Sequence, residues 1–131
     1  MMPRSVILCV ALVLAGCGPA RHDRLVVGSK NFTEQTILGE LVAQQLEAKS
    51  GLQVDRRFYL GGTFIAHQAL LAGRIDVYVE YTGTALTAIL KQAPGGSQQD
   101  VYRRVKEAYA QQFGLEVTEP LGFNNTFAIV I

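Results

Sequence analysis

Two short strings in this 131-residue chain hold the residues best placed for chemistry: GSKNFTEQ, from Gly28 to Gln35, and EYTGT, from Glu80 to Thr84. Each sits where a strand pattern gives way to a helical one. In an open α/β sheet the carboxyl ends of the strands are where ligands are held, so the strings point to the binding of a small molecule. Catalysis finds little support. There is no nucleophile elbow and no cluster of His and Glu at metal-ligand spacing, and Glu34, Glu40 and Glu80 are carboxylates without an evident second member. No cofactor and no metal are implied. His67 has no partner motif and reads as a structural histidine.

The amino-terminus points to the cell envelope. Arg4 precedes an apolar stretch from Val6 to Leu14, too short to span a bilayer but with the length and flanks of a signal-peptide core. The stretch ends in Leu14, Ala15, Gly16 and Cys17, which resembles the bacterial lipobox, in which the Cys carries lipid and becomes the first residue of the mature chain. Residues 1–16 are then a lipoprotein signal peptide and 17–24 a lipid-anchored tether. Cys9 leaves with the signal, so Cys17 is the one remaining thiol and an internal disulfide is excluded. The full sequence carries 12 Lys and Arg against 11 Asp and Glu, and loss of Arg4 brings the formal balance to zero. The pairs Arg56–Arg57 and Arg103–Arg104 have acidic neighbours and read as solvated faces, so nothing recruits nucleic acid.

The pattern becomes globular after Arg24. Leu25 to Gly28 reads as a buried strand. Ile37, Leu38, Leu41, Val42 and Leu46 then form an apolar stripe at helical spacing, with Thr33 as N-cap and Gly51 as the stop. Val54 to Leu60 alternates as a strand and is broken by Gly61 and Gly62. Thr63 caps a helix through Leu71 that ends at Gly73, and Ile75 to Val79 reads as a further strand. The order β-α-β-α-β argues for an α/β layer of largely parallel strands. Ala85 to Lys91 reads as helical and Ala93 to Gln99 as a surface loop. Val101, Val105, Ala108, Tyr109 and Phe113 mark a third amphipathic helix stopped by Gly114. Leu115 to Thr118 is expected to be strand, and Phe123 to Ile131 grows apolar. The length from Leu25 onward suits one lobe with a real core. Because the last residues have the composition of a buried strand, we expect the chain to be truncated at the crossing to a second lobe.

The strings VVGSKNFTEQTILGEL, GGT at Gly61 to Thr63, IDVYVEYTGTAL and GFNNTFAIV give the region from Leu25 to Ile131 a specific likeness. It resembles the first lobe of the osmoprotectant-binding proteins of ABC importers, which deliver glycine betaine, choline, carnitine and related compounds. The resemblance implies a periplasmic-binding-protein-like lobe, with a mostly parallel sheet flanked by helices, in a protein that closes on its ligand by hinge motion. It also implies an ABC permease and ATPase as partners, a place on the extracytoplasmic face of a membrane, and no enzymatic activity.

By the same resemblance, Lys30 falls where the family sets a polar or cationic side chain against the ligand head group. Thr84 falls where a hydroxyl and nearby backbone bind a carboxylate. Tyr81 matches one wall of an aromatic cage, and Phe127 stands where a second cage aromatic, most often Tyr, is usual. The residue types make physical sense. A quaternary ammonium has no N–H to donate and must be held by ring faces, each contributing about 0.5–2 kcal/mol. A ligand carboxylate calls for a cation and donors, which Lys30 and Thr84 supply, with the helix start near Thr33 adding a favourable field. A Phe at 127 keeps the ring quadrupole but loses the hydroxyl's hydrogen bond. With one cage wall and half a clamp, the chain by itself is expected not to bind betaine detectably. Two other readings stand beside this one: the same fold binding another zwitterion such as an amino acid, and a non-functional truncated remnant.

Overall fold

The computed structural model describes residues 24–125. The signal segment 1–16, Cys17 and Phe127 lie outside the described residues. Strand β1 (Arg24–Gly28) begins one residue before the start read from the sequence and leads into helix α1 (Thr33–Ser50). Strand β2 (Gln53–Arg57) follows, then helix α2 (Thr63–Leu71). A three-residue helix α3 (Thr82–Thr84) runs into a π-helical turn (Ala85–Ile89), and α4 (Gln98–Phe113) completes the described elements.

β1 and β2 pair in parallel from Arg24 opposite Gln53 to Gly28 opposite Arg57. The right-handed crossover rule for such units makes α1 the natural bridge. On the other edge of β1 the expected strand Ile75–Val79 contracts to one parallel bridge, Val27 with Val77. Gly28 N–H donates to Val77 at 2.8 Å, and the Val26 carbonyl accepts from both Asp76 N–H at 2.8 Å and Val77 N–H at 3.3 Å. The ladder stops there because the Asp76 carboxylate takes the Val26 N–H at 2.7 Å, a side chain standing in for a backbone rung. β1 is therefore the middle of three parallel segments, and Val26 and Val27 are 1% and 0% exposed.

One core cluster joins Val27, Ala43 and Val54, with Leu46, Phe58 and Val77 packed against it. A second joins Ala85, Leu86, Val105 and Tyr109, with Phe113, Leu115 and Val117 packed around them.

Helix α1 turns a different face inward from the one its apolar residues suggest. Gln35, Gly39 and Ala43 are buried, while Ile37 and Leu41 are more than half exposed. The reason is close approach: a Cβ at Gly39 would stand 2.9 Å from the Phe58 ring, so the small residues must face the sheet. The N-caps also shift by one. Phe32 and Gly62 occupy the cap positions, and neither makes a side-chain cap hydrogen bond, so Thr33 and Thr63 are the first helical residues rather than caps. Gly51 and Gly114 do stop their helices, at φ of 69° and 66°.

Helix α4 starts earlier than Val101. Ser97, read as loop, caps it through a reciprocal box in which Ser97 Oγ accepts from Asp100 N–H at 3.1 Å and Asp100 Oδ2 accepts from Ser97 N–H at 3.2 Å. Leu115 to Thr118 is irregular chain rather than strand, because Leu115 and Val117 are used as packing against the second cluster. The helix expected over Ala85 to Lys91 is a π turn ending before Lys91, whose φ is 56°. β2 ends before Leu60 because Tyr59 adopts a left-handed φ of 61°.

Candidate functional site

Three loops meet at the carboxyl ends of the parallel segments: 29–32 after β1, 58–62 after β2, and 80–81 before α3. Backbone bonds strap the first two together. Ser29 N–H donates to Arg57 at 3.2 Å, Leu60 N–H to Ser29 at 3.1 Å, and Asn31 N–H to Gly61 at 3.0 Å. The buried Ser29 hydroxyl accepts from Tyr59 N–H at 3.0 Å and donates to the Lys30 carbonyl at 3.1 Å, fixing both the left-handed turn and the lysine's backbone. The GSKN and GGT strings are thus strapped into one ledge.

Lys30 points inward from that ledge and is 2% exposed. Its Nζ forms an ion pair with Glu80 Oε1, and the same oxygen accepts the Tyr81 N–H at 2.8 Å. The ammonium lies over the Tyr81 ring at 4.7 Å from the centroid, with the Phe32 ring at 5.7 Å. A buried ammonium needs such partners, since an unpaired one costs several kcal/mol, of order, in lost solvation. Of the residues singled out in the sequence, the structure brings Lys30 and Tyr81 into contact with each other. Thr84 closes α3, three residues beyond Tyr81, and is half-buried. No hydrogen bond joins it to Lys30 among the described residues.

Behind the ion pair lies a polar interior that the sequence did not announce. The Gln35 amide, both His67 ring nitrogens, Glu80 Oε2 and the hydroxyls of Tyr78, Tyr81 and Tyr109 are all buried without a hydrogen-bond partner among the described residues. Burial, reinforced by the Glu80 charge, drives the Tyr78 hydroxyl far above its ordinary pKa and pushes Tyr109 up to about 12. Burial also raises Tyr81, whose hydroxyl lies towards Gln35, Asn125 and Glu34, and it lowers His67. All three phenols stay protonated at neutral pH. Asn125 is held at this site by its amide, which donates to Glu34 at 3.2 Å.

Glu80 is the partner of Lys30 that the sequence reading did not single out. Its signal was there: a carboxylate between Val79 and Tyr81, in the string opposite the lysine, has to find a counter-charge if it is buried. Phe32 and Gln35 were also unread, although both lie within the first string or at its edge. The arrangement pairs charges, offers ring faces and excludes water, which suits holding an ion. Among the described residues no group of His, Cys, Asp and Glu could hold a metal.

Residues 23–131 match the family described as the substrate binding domain of ABC-type glycine betaine transport systems. The chain belongs to this family. Its members are ligand-binding domains of transport systems rather than enzymes. The chain is 38% identical over 127 residues to the ergothioneine transport permease/ergothioneine binding protein EgtU of Helicobacter pylori, covering 96% of this chain and 22% of that protein. It is also 38% identical over 125 residues to a glycine-betaine-binding protein of Pseudomonas aeruginosa, covering 95% of this chain and 39% of that one. Among solved structures, apo YehZ from Escherichia coli matches with a TM-score of 0.63 at 30% identity, over 69% of this chain and 32% of the other. The chain thus spans about two fifths or less of the length of these family relatives. The structural match agrees with the periplasmic-binding-protein-like α/β class read from the sequence. No helix among the described residues is long and apolar enough to cross a membrane.

Proposed function

We propose that residues 25–131 form the first lobe of an extracytoplasmic solute-binding protein that captures a quaternary ammonium osmoprotectant, such as glycine betaine or choline, for delivery to an ABC permease. Residues 1–16 serve as its signal peptide, Cys17 carries the lipid, and 17–24 form the tether. The observation that carries the reading is the Tyr81 ring with a buried ammonium 4.7 Å from its centroid at the carboxyl ends of parallel strands. A ring that stacks against one cation in a water-poor setting has the quadrupole that a ligand charge without N–H requires. Lys30 and Thr84 are the groups assigned to the ligand's acidic end, and Phe127 to a second cage wall. A second reading draws on the likeness to EgtU: a larger zwitterion, ergothioneine, in the same site.

The test uses protein expressed from residue 18 to the natural stop codon. It is titrated calorimetrically with glycine betaine, choline and ergothioneine. Saturable binding of betaine or choline, weakened about three- to thirtyfold by Tyr81→Ala, is the expected result. Binding of ergothioneine alone selects the second reading, and no binding of any of the three overturns both.

A further inference from the structure

The Lys30–Glu80 pair has a consequence for which ligands can enter. Lys30 brings a full positive charge into the site, with its side chain 3% exposed, and the Glu80 side chain is 11% exposed, so water screens neither effectively. Glu80 is positioned before any ligand arrives, because Oε1 is fixed by the Tyr81 N–H as well as by the ammonium. The carboxylate is thereby locked beside the ring that would take a ligand's cation. A second cation brought to that ring would lie within about 11 Å of the Lys30 Nζ, given a lysine 4.7 Å from the centroid and ordinary cation–ring distances of up to about 6 Å. At that range an uncompensated like charge in a partly desolvated site weakens binding by about tenfold or more.

We infer that Glu80 is a specificity-determining residue of this site, cancelling the charge of Lys30 so that a ligand with a positive charge and no carboxylate is admitted alongside a zwitterion. The inference rests on the quaternary ammonium reading above. Without Glu80 the site would carry the lysine's charge alone, which suits the carboxylate of glycine betaine and repels choline. Glu34 is the other carboxylate near the ring, on the hydroxyl side of Tyr81. Its hydrogen bond to the neutral Asn125 amide is solvent-exposed whereas the Glu80 pair is partly buried, so its influence is screened more strongly.

Glu80→Gln tests this directly. The amide oxygen can replace Oε1 as acceptor for both Lys30 and Tyr81 N–H, so geometry is kept and charge is removed. The quantity to measure, on protein expressed from residue 18 to the natural stop codon, is the ratio of the choline Kd to the glycine betaine Kd. Both constants come from the same sample, so a partly unfolded fraction does not distort the ratio. The ratio is expected to rise about tenfold or more in Glu80→Gln, and to stay within about threefold of the original in Glu80→Asp and in Glu34→Gln. An unchanged ratio in Glu80→Gln, equal loss of both ligands, or an equal rise in Glu34→Gln would overturn the assignment. If the unsubstituted protein binds neither ligand, it is the ligand reading that falls.

Discussion

Gly28 shows how little room the ledge leaves. A Cβ there would stand 2.6 Å from Ile75 Cδ1 and 3.2 Å from Leu60 Cδ1, and Ile75 is 1% exposed with nowhere to go. Gly28→Ala is expected to cost about 1–3 kcal/mol as an overpacked core substitution, read as a lower urea midpoint. An unchanged midpoint would mean that the strands part easily. At this scale the sequence was legible where a residue type has one use. Lys30 and Tyr81 stood out because their strings match those of the resembled family, and a cation and a ring are residue types that suit an ion site. Glu80 did not, because its role depends on a lysine 50 positions away, and only the tertiary fold brings them together. Tyr59 was unreadable for a related reason: its left-handed backbone is imposed by Ser29 from across the ledge.

Between elements, the contact that most invites a test is α2 against α4. The His67 ring meets Phe113 edge-on at 4.9 Å and Tyr109 at 5.6 Å, with Glu80 the nearby charge. Burial lowers the pKa of His67, so the unfolded chain takes up a proton at a higher pH than the folded protein does. The stability contributed by neutral His67 is complete above the unfolded value of about 6.5 and is lost as pH falls through that value towards the folded one. Thermal melts are therefore expected to show a falling Tm from pH 7.5 to pH 5.5 that is visibly smaller in His67→Phe. Equal slopes would remove His67 from the account. The helices themselves were largely legible, since their periodicity and their glycine stops at Gly51 and Gly114 are local signals. The phase of α1 was not, because Gln35, Gly39 and Ala43 face the sheet for reasons of space, and a count of apolar residues ignores them. The short strands at 75–79 and 115–118 were over-read for the converse reason: apolar residues can be used in packing without joining a ladder.

For the molecule as a whole, the proposed anchor makes a prediction independent of ligand. Cys17→Ser is expected to abolish palmitate labelling in cells and to shift the protein from the membrane fraction to the soluble one. Unchanged labelling would place the lipid elsewhere or deny it. The parallel sheet carries a different consequence, in the order of folding events. Arg24 and Gln53 are 29 residues apart, and Val26 and Asp76 are 50 apart. Each rung of this sheet therefore closes a long loop, whose entropy is lost before the rung returns anything. Helix α1 rests on local contacts, and by shortening the chain between the strands it lowers the cost of bringing them into register. The lysine and its carboxylate are 50 residues apart, so their meeting is expected to come late, and a slowed unfolding rate with an unchanged folding rate on strengthening that pair is the kinetic sign of it.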